Sequence, residues 1–338
     1  MVTIKDVARE ANVSASTVSR VLSKSANVSK EKRERVLAAM KKLGYVPNLA
    51  AQSLRGNGSF VNSWTKGIGV IVSSKAMEIS PEFFTPILEG IQIEAEQQNQ
   101  VVAFNRRIDE FANKPSLLNE LAPEVATGLV FVGCSPYNDQ VLSQVVDGEV
   151  PIVLVEFTYK GLDAVIADKW DGMRQAVNHL ASFGHRQIVY VGPVDERARG
   201  FEMALQEAEL CRSGDIIFPA EFSLREGYRA CREVLGRRSF TGLVAASDAI
   251  AFGAIRAIHD AGLSVPEDVS VLGFDDVPMA EFLTPRLTTV AVNKVDMGRY
   301  AVRRLMDSAT IAGLELSGTV TICPVGLVVR ESTGPAKS

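Results

Sequence analysis

The chain has 338 residues, of which 46% are hydrophobic and 22% charged, and its formal net charge is −4. No apolar run approaches the ~18–20 residues of a membrane span, and residues 1–20 lack the apolar core of a secretory signal, so we expect a cytoplasmic globular protein of roughly two to three domains without a membrane partner. Residues 1–58 carry 11 basic and 4 acidic side chains, whereas the remainder carries 25 and 36, so a basic head precedes an acidic body.

Residues 1–47 have the periodicity of short helices. Asn12-Val13 forms a turn after the first helix, and Ser14 is a suitable N-cap for a second helix that presents a polar face including Arg20. A third helix is predicted from Ser29 to Leu43. Two short helices joined by a tight turn are typical of a helix-turn-helix, and the basic charge favours DNA over the alternative of a protein partner.

Three segments of this head carry a resemblance to a known family. They are TIKDVA (residues 3–8), VSASTVSRVL (13–22) and LGYVPN (43–48). Together they resemble the headpiece of the lactose/galactose-repressor (LacI/GalR) family of bacterial transcriptional regulators over about 55 residues without a gap. The family's partner is palindromic double-stranded operator DNA, bound by a homodimer.

The resemblance implies that the second helix lies in the major groove, with Ala15, Ser16 and Arg20 at the base-reading positions. Arg20 has two forked donors that suit the O6 and N7 atoms of guanine. Further polar residues match positions that contact phosphate and fix the register without reading sequence. These are Thr3, Ser19, Asn27, Ser29 and Tyr45.

Residues 48–66 have the composition of an ordinary linker, but the resemblance implies that residues 48–55 form the family's hinge helix, followed by a polar linker. The helix from Asn48 to Arg55 is too short to be stable alone in water. In the family it folds when two copies meet in the minor groove, and its matching DNA-binding residues are Asn48, Ala51, Gln52 and Leu54. Leu54 matches the apolar wedge that opens a central base step.

Short apolar runs alternate with amphipathic helices over residues 67–338, which predicts an α/β domain, and the resemblance implies that this domain binds an effector and dimerises. Strands are predicted at 68–72, 101–104, 128–132, 152–155, 164–166, 188–191, 243–246 and 269–273, with helices near 84–98, 138–147, 171–183, 196–208, 225–235 and 249–261. Apolar runs without polar alternation are typical of parallel strands covered on both faces. The predicted fold class is therefore α/β with two doubly wound parallel sheets, preceded by the all-α head.

This body resembles the family's two-lobed type I periplasmic-binding-protein fold. The resemblance implies three crossings of the chain between the lobes. We expect lobe 1 at about 67–158 and 291–318, and lobe 2 at about 159–290 and 319–338.

In open α/β sheets a ligand binds beyond the carboxyl ends of the strands. Four polar residues directly follow predicted strands and are candidate effector contacts: Glu156, Ser247, Asp248 and Asp275. Carboxylates that converge on one cleft can accept hydrogen bonds from polyol hydroxyls. Asp248 alone is more typical of a helix N-cap.

The resemblance adds three effector-binding candidates. Arg197 matches the family's Arg-x-x-Gly-aromatic motif, and Phe84 and Phe222 match pocket aromatics. Either ring alone is more typical of core packing. As a pair beside a cleft they favour a flat or ring-shaped ligand. Asp275 matches an Asp that holds an effector's polar groups, and Ser247 takes a place usually held by Asn.

The sequence offers no sign of catalysis. It has three histidines and four cysteines, none at metal-ligand spacing, and lacks His-Glu-x-x-His, Gly-x-Ser-x-Gly and Gly-Lys-[Ser/Thr] motifs. We therefore predict no enzyme, no cofactor and no metal site.

The predicted function is that of a ligand-responsive, sequence-specific DNA-binding repressor with a sugar-like effector. A purine or nucleoside effector, a protein co-regulator, and a solute-binding transport protein remain alternatives.

Overall fold

The structure, a computed structural model, describes residues 4–14, 17, 18, 21, 32, 35, 36, 38, 39, 66–113, 118, 122, 124–146, 150–210, 217, 218, 220–237, 239–310 and 318–337. The chain divides into two compact units, Met1–Thr65 and Lys66–Ser338. In the described part of the chain, no helix has both the length and the apolar character needed to cross a membrane.

The first unit is a small helical domain. Helix α1 (Ile4–Glu10) ends in a turn where Asn12 has a φ of +50°, and the Val13 amide donates to the Ala8 carbonyl at 3.0 Å. Ser14 accepts from the Thr17 amide through its Oγ at 3.1 Å, which confirms its prediction as an N-cap. The buried apolar side chains of this unit are Val7, Ala8, Ala11, Val18, Val21, Val36 and Ala39.

The side chain of Arg35, in the third helical segment, contacts the turn that follows α1. Residues 35 and 36 are helical. The Arg35 guanidinium donates to the carbonyl of Ala11 at 2.7 Å and to that of Asn12 at 2.7 Å. These carbonyls lie beyond the end of α1, where intrahelical partners are missing, so Arg35 satisfies them.

The second unit contains two six-stranded sheets. The first consists of β1 (Gly67–Val72), β2 (Val102–Arg107), β3 (Ala126–Val132), β4 (Ile152–Val155), β5 (Asp163–Ala167) and β11 (Val320–Cys323), in the order β11-β5-β4-β3-β1-β2. The second consists of β6 (Ile188–Val191), β7 (Ile217–Phe218), β8 (Gly242–Ala245), β9 (Ser270–Asp275), β10 (Thr288–Val292) and β12 (Val325–Val328), in the order β12-β10-β9-β8-β6-β7. All paired neighbours are parallel except β12, which runs antiparallel to β10.

Helices cover these sheets. Lobe 1, built on the first sheet, has α2 (Ser74–Ile79), α3 (Pro81–Gln97), α4 (Asp139–Val145) and α9 (Lys294–Thr310); lobe 2 has α5 (Lys169–Ser182), α6 (Glu196–Glu207), α7 (Leu224–Arg237) and α8 (Asp248–Asp260). Consecutive residues of β1 belong to different cores: Val70 to the cluster that holds Ile87, and Ile71 to the cluster that holds Leu142. Both faces are therefore buried, as the apolar runs predicted.

The chain crosses between the lobes three times, after β5, after β10 and between β11 and β12. The sheet pairing changes the predicted lobe boundaries, because β5 (Asp163–Ala167) and β11 (Val320–Cys323) belong to the first sheet and β10 to the second. Strand β5 pairs with β4 on one side and β11 on the other, so it lies inside the first sheet, and β11 forms the edge when the chain returns. Lobe 1 therefore extends to residue 167, and the chain returns to it at the start of α9 rather than at residue 291.

Candidate ligand-binding cleft

A cavity of about 670 Å³ lies at the carboxyl ends of both sheets. Its wall contains the residues that follow or end seven strands: Ser73 after β1, Gly133 after β3, Glu156 after β4, Pro193 shortly after β6, Ala220 shortly after β7, Ser247 shortly after β8 and Asp275 at the end of β9. Six of the seven effector-binding residues predicted from sequence line this cavity. They are Phe84, Glu156, Arg197, Phe222, Ser247 and Asp275.

Arg197 is held in the first turn of α6 by the N-cap residue. Its amide donates to Asp195 Oδ1 at 2.9 Å, and its Nη1 lies 3.1 Å from Asp195 Oδ2. The guanidinium carbon is 5.1 Å from the ring centroid of Phe222 and 5.3 Å from that of Phe274. The Nε atom is buried without a hydrogen-bond partner among the described residues. Buried polar groups are normally bonded, so this unpaired Nε is an exception in a residue of the cavity wall.

Asp275 supplies an acceptor next to this donor. It is 6% exposed, has a φ of +114°, and its carboxylate makes no hydrogen bond within the described part of the chain. Burial, followed by the charge of Asp248, raises the pKa of Asp275 well above its usual range, although Arg197 opposes the shift. Both effects favour the neutral carboxyl, which can donate as well as accept a hydrogen bond.

Glu156 and Ser247 line the cavity but have protein partners. Glu156 Oε1 accepts from the Ala167 amide at 2.8 Å, and Oε2 lies 3.3 Å from Lys169 Nζ. Ser247 Oγ accepts from the Ile250 amide at 3.3 Å and caps α8. These groups therefore offer a ligand only their remaining hydrogen-bonding capacity.

Asp248, the seventh predicted residue, does not lie in the cavity wall. It is fully buried, and its Oδ2 accepts from the Val277 amide at 2.8 Å while Oδ1 accepts from the Thr289 hydroxyl at 2.5 Å. Burial raises its pKa to about 7. Consecutive side chains at a helix start point in different directions, so Ser247 reaches the cavity and Asp248 instead fixes the segment that follows β9.

The lobe 1 wall also contains Lys75, Phe83 and Tyr137, which were not among the predicted site residues. Phe84 lies edge-on to Phe83, with ring centroids 5.0 Å apart. Lys75 Nζ lies 4.7 Å from the ring centroid of Tyr137, and both side chains line the cavity. Applying the strand-end rule to β1 and β3 as well as β4 would have indicated this region.

The twelve predicted DNA-binding residues lie outside the described residues. They are Thr3, Ala15, Ser16, Ser19, Arg20, Asn27, Ser29, Tyr45, Asn48, Ala51, Gln52 and Leu54. Within the described residues, no group of three or more His, Cys, Asp or Glu side chains is arranged to hold a metal ion.

Residues 3–48 match the model for bacterial regulatory proteins of the lacI family, and residues 177–333 match a periplasmic binding protein-like domain. The chain is 33% identical over 318 residues to the HTH-type transcriptional repressor PurR of Klebsiella pneumoniae subsp. pneumoniae, covering 91% of this chain and 90% of that protein. The chain belongs to the lacI family. It is also 32% identical over 341 residues to the HTH-type transcriptional regulator RegA of Clostridium saccharobutylicum, covering 98% of both.

Solved structures of the lacI family agree with both parts of the fold. A lac repressor dimer bound to operator and the anti-inducer ONPF has a TM-score of 0.76 at 28% identity, covering 98% of this chain and 99% of that one. A complex of the transcriptional regulator CelR with cellobiose has a TM-score of 0.69 at 29% identity, covering 98% and 100%. The predicted family, the helix-turn-helix head and the two-sheet α/β body are thus confirmed, and the protein is a transcriptional regulator of the lacI family.

Proposed function

We propose that this regulator is a homodimeric repressor, acting in the cytoplasm, whose affinity for a palindromic operator depends on a small, uncharged, hydroxyl-rich effector of the sugar class. The observation that carries this proposal is the pairing of Arg197 and Asp275 in one cavity. Arg197 brings a guanidinium and Asp275 a buried carboxyl to the same cavity wall, and within the described part of the chain neither Arg197 Nε nor the Asp275 carboxylate has a hydrogen-bond partner. A hydroxyl both donates and accepts, so a polyol satisfies both.

The charges around the cavity support an uncharged ligand. Arg197 is already paired with Asp195, and Lys169 with Glu156. The wall contains four basic residues and five acidic ones: Lys75, Lys169, Arg197 and Arg229 against Glu156, Asp195, Glu221, Glu226 and Asp275. A sugar phosphate would therefore meet no surplus of positive charge. Structures of two relatives hold neutral sugars, cellobiose in CelR and ribose in a regulator from Enterococcus faecium that is 30% identical, with a TM-score of 0.67 over 80% of this chain and 100% of that one.

A purine base is the second candidate effector. Phe84 and Phe222 both line the cavity, and aromatic walls suit a flat ring. One face of Phe222, however, is directed at the Arg197 guanidinium. Less of its surface is therefore available for stacking, which ranks the sugar first.

A thermal-shift screen of the full-length protein tests the effector proposal. The probes are cellobiose, ribose, ribose 5-phosphate, hypoxanthine and guanosine. A ligand at ~100 times its Kd stabilises the folded state by about 2.7 kcal/mol. We expect a neutral sugar to raise the Tm, and the shift to be lost in Arg197→Ala and Asp275→Ala.

Arg174→Ala is the matched control, because Arg174 lies on the exposed surface of α5 and pairs with Asp171. A shift that persists in Arg197→Ala and Asp275→Ala would place the ligand elsewhere. A response to the phosphate or the purine alone would reject the neutral-sugar assignment.

For the head, we propose that Arg20 reads a guanine edge and that two Leu54 side chains, one from each protomer, enter the minor groove together. An effector-driven shift of the lobes would change the separation of the two hinge helices, and a coupling of about 1–3 kcal/mol is typical of such regulation. Family membership and the Ser14-capped second helix support this assignment. The proposed role requires the protein to bind DNA and effector, and involves no catalytic turnover.

Fluorescence anisotropy tests the head, using an operator selected from random duplex DNA and a scrambled duplex of equal length. Leu54→Ala should weaken operator binding far more than scrambled binding, because wedge insertion depends on the central base step. Equal losses on both duplexes contradict the wedge role. Lys24→Ala, outside the proposed contacts, is the control for general loss of charge.

A further inference from the structure

Two buried lysines stand at the first two crossings between the lobes. Lys169 is the first residue of α5, shortly after β5, and Lys294 is the first residue of α9, shortly after β10. Each is 8% exposed. Lysine is almost never fully buried unless its ammonium is paired, so each of these two ammonium groups needs polar partners within the protein.

Lys169 belongs to a lobe 2 helix but contacts lobe 1. Helix α5 packs against α6 and β12 of lobe 2. Its Lys169 Nζ lies 3.3 Å from Oε2 of Glu156, at the carboxyl end of β4 in lobe 1. The second acidic neighbour, Glu196 Oε2, is farther away at 3.9 Å and half exposed. The ammonium thus joins the start of lobe 2 to the end of a lobe 1 strand.

Lys294 makes the reverse connection. Helix α9 packs against α3 and the first sheet in lobe 1. Its Lys294 Nζ donates to the backbone carbonyl of Asp275, and also to those of Asp276 and Val292, each at 3.3 Å. These three carbonyls lie at the ends of β9 and β10 in lobe 2, while the same ammonium is 5.8 Å from the ring centroid of Phe83 on α3.

The two residues that the lysines hold are both in the cavity wall, and both have unusual backbones. Glu156 has a φ of +64° and Asp275 a φ of +114°. Non-glycine residues rarely adopt positive φ, and the surrounding structure must maintain it. At Asp275 the Lys294 ammonium binds the backbone carbonyl of the strained residue itself. At Glu156 the Lys169 ammonium fixes one carboxylate oxygen while the Ala167 amide fixes the other.

We propose that Lys169 and Lys294 are positioning residues that form two reciprocal tethers between the lobes and fix the aperture of the cleft before a ligand binds. A ligand that binds Asp275 then acts through Lys294 on α9, and therefore on lobe 1. A ligand that competes for Glu156 releases Lys169 and with it the start of α5. This inference rests on the proposed function, since it concerns the same cleft, but it adds how the two lobes are connected to it.

The test measures the distance between the lobes in the protein without ligand or DNA. Spin labels are attached through a keto-bearing unnatural amino acid at Thr85 on α3 and Arg225 on α7, both exposed and outside the cavity wall. The four native cysteines stay unchanged. Labelled protein is diluted with an excess of unlabelled protein, so that pulsed electron–electron resonance reports distances within one chain.

We expect Lys169→Met and Lys294→Met each to shift and broaden the distance distribution by several ångström, and the double variant to do so most. Arg174→Met on α5 and Asp307→Asn on α9 are controls that remove an exposed charge from the same helices away from the cleft, and should leave the distribution unchanged. If Lys294→Met does not fold, Glu156→Gln tests the other tether, because it removes the ion pair but keeps an oxygen for the Ala167 amide.

A lower Tm with an unchanged distance distribution in the lysine variants would overturn the proposal, because it would show a role in stability alone. Failure of the effector screen would not affect this measurement, so the two proposals fail separately.

Discussion

The carboxylate of Glu94 on α3 receives two hydrogen bonds from Arg303 on α9, from Nε to Oε1 at 2.8 Å and from Nη2 to Oε2 at 3.0 Å. Arg299 Nε adds a third at 3.2 Å. Glu94 is 1% exposed, so it is a buried anion whose guanidinium partners come from the neighbouring helix, while Gln98 Nε2 at the end of α3 donates to Oε1 at 3.0 Å. The hydrogen bonds from Arg303 lower the pKa of Glu94 from 4.5 to about 2, against the opposing effect of burial.

Glu94→Gln should destabilise the protein by about 1–2 kcal/mol at pH 7, because the guanidinium of Arg303 is half exposed and solvent screens part of the interaction. A carboxylate with a lowered pKa stabilises the folded state above its unfolded pKa, and this contribution is lost as the pH falls from 4.5 to about 2. Urea unfolding at pH 7 and pH 3 measures both effects. A wild-type and variant difference that is the same at the two pH values would contradict this account.

The contact between α3 and α9 also depends on two glycines. A Cβ at Gly90 would lie 1.9 Å from the Val295 carbonyl oxygen, and one at Gly298 would lie 2.1 Å from the Ile87 carbonyl oxygen. Gly90→Ala should therefore force the helices apart and cost about 1–3 kcal/mol or more. Gly236→Ala in α7 is the control, since nothing lies within 4 Å of its Cβ position, and it should stabilise by about 0.5–1 kcal/mol. Thermal unfolding of both variants checks the opposite signs.

The strands of the body could be predicted from the sequence wherever both faces are buried. All four residues of β8 (Gly242–Ala245) are buried, and the apolar run predicted that strand to within one residue. Strand β11 (Val320–Cys323) was not predicted, because Val320 and Ile322 are exposed. Its position follows from pairing with β5, more than 150 residues earlier in the chain, which no local pattern records.

In the candidate site, too, some residues could be predicted from the local sequence, whereas others depend on packing between distant parts of the chain. The strand-end rule indicated Glu156, Ser247 and Asp275, because backbone direction alone brings those ends to one cavity. It could not separate Ser247 from Asp248, since the direction of each side chain depends on how the start of α8 packs. Lys294 was missed for a related reason: a lysine at a helix start is usually solvated, and only the return of the chain to lobe 1 places it against three carbonyls.

In the first unit, Ser14→Ala should lower stability by about 1 kcal/mol, because the Thr17 amide loses its side-chain acceptor at the start of the second helix. Ser14→Asp is the matched control, since a carboxylate accepts the same bond and suits a helix N-terminus. Differential scanning calorimetry of the full-length chain measures the transition of this unit. Equal losses in both variants would show that the capping bond is not the cause.

The buried carboxylate of Asp248 predicts a pH dependence of the opposite sign to that of Glu94. Burial raises its pKa from 3.8 to about 7, so between these values the folded state binds more protons than the unfolded state. Stability from this group therefore falls as the pH rises from about 4 to 7. Asp248→Asn removes the titration, and its oxygen can still accept from the Val277 amide while its NH₂ donates to the Thr289 hydroxyl.

We expect Asp248→Asn to gain stability relative to wild type between pH 4 and pH 8, by on the order of 2 kcal/mol. Asp248→Ala is the contrasting variant. It leaves the Val277 amide buried without an acceptor and should be destabilised by about 1–3 kcal/mol throughout. Urea unfolding of the three proteins across this pH range separates the two effects. If the free energies of unfolding of the Asn variant and wild type change in parallel with pH, Asp248 does not titrate in this range. The raised pKa attributed to Asp248 would then be wrong.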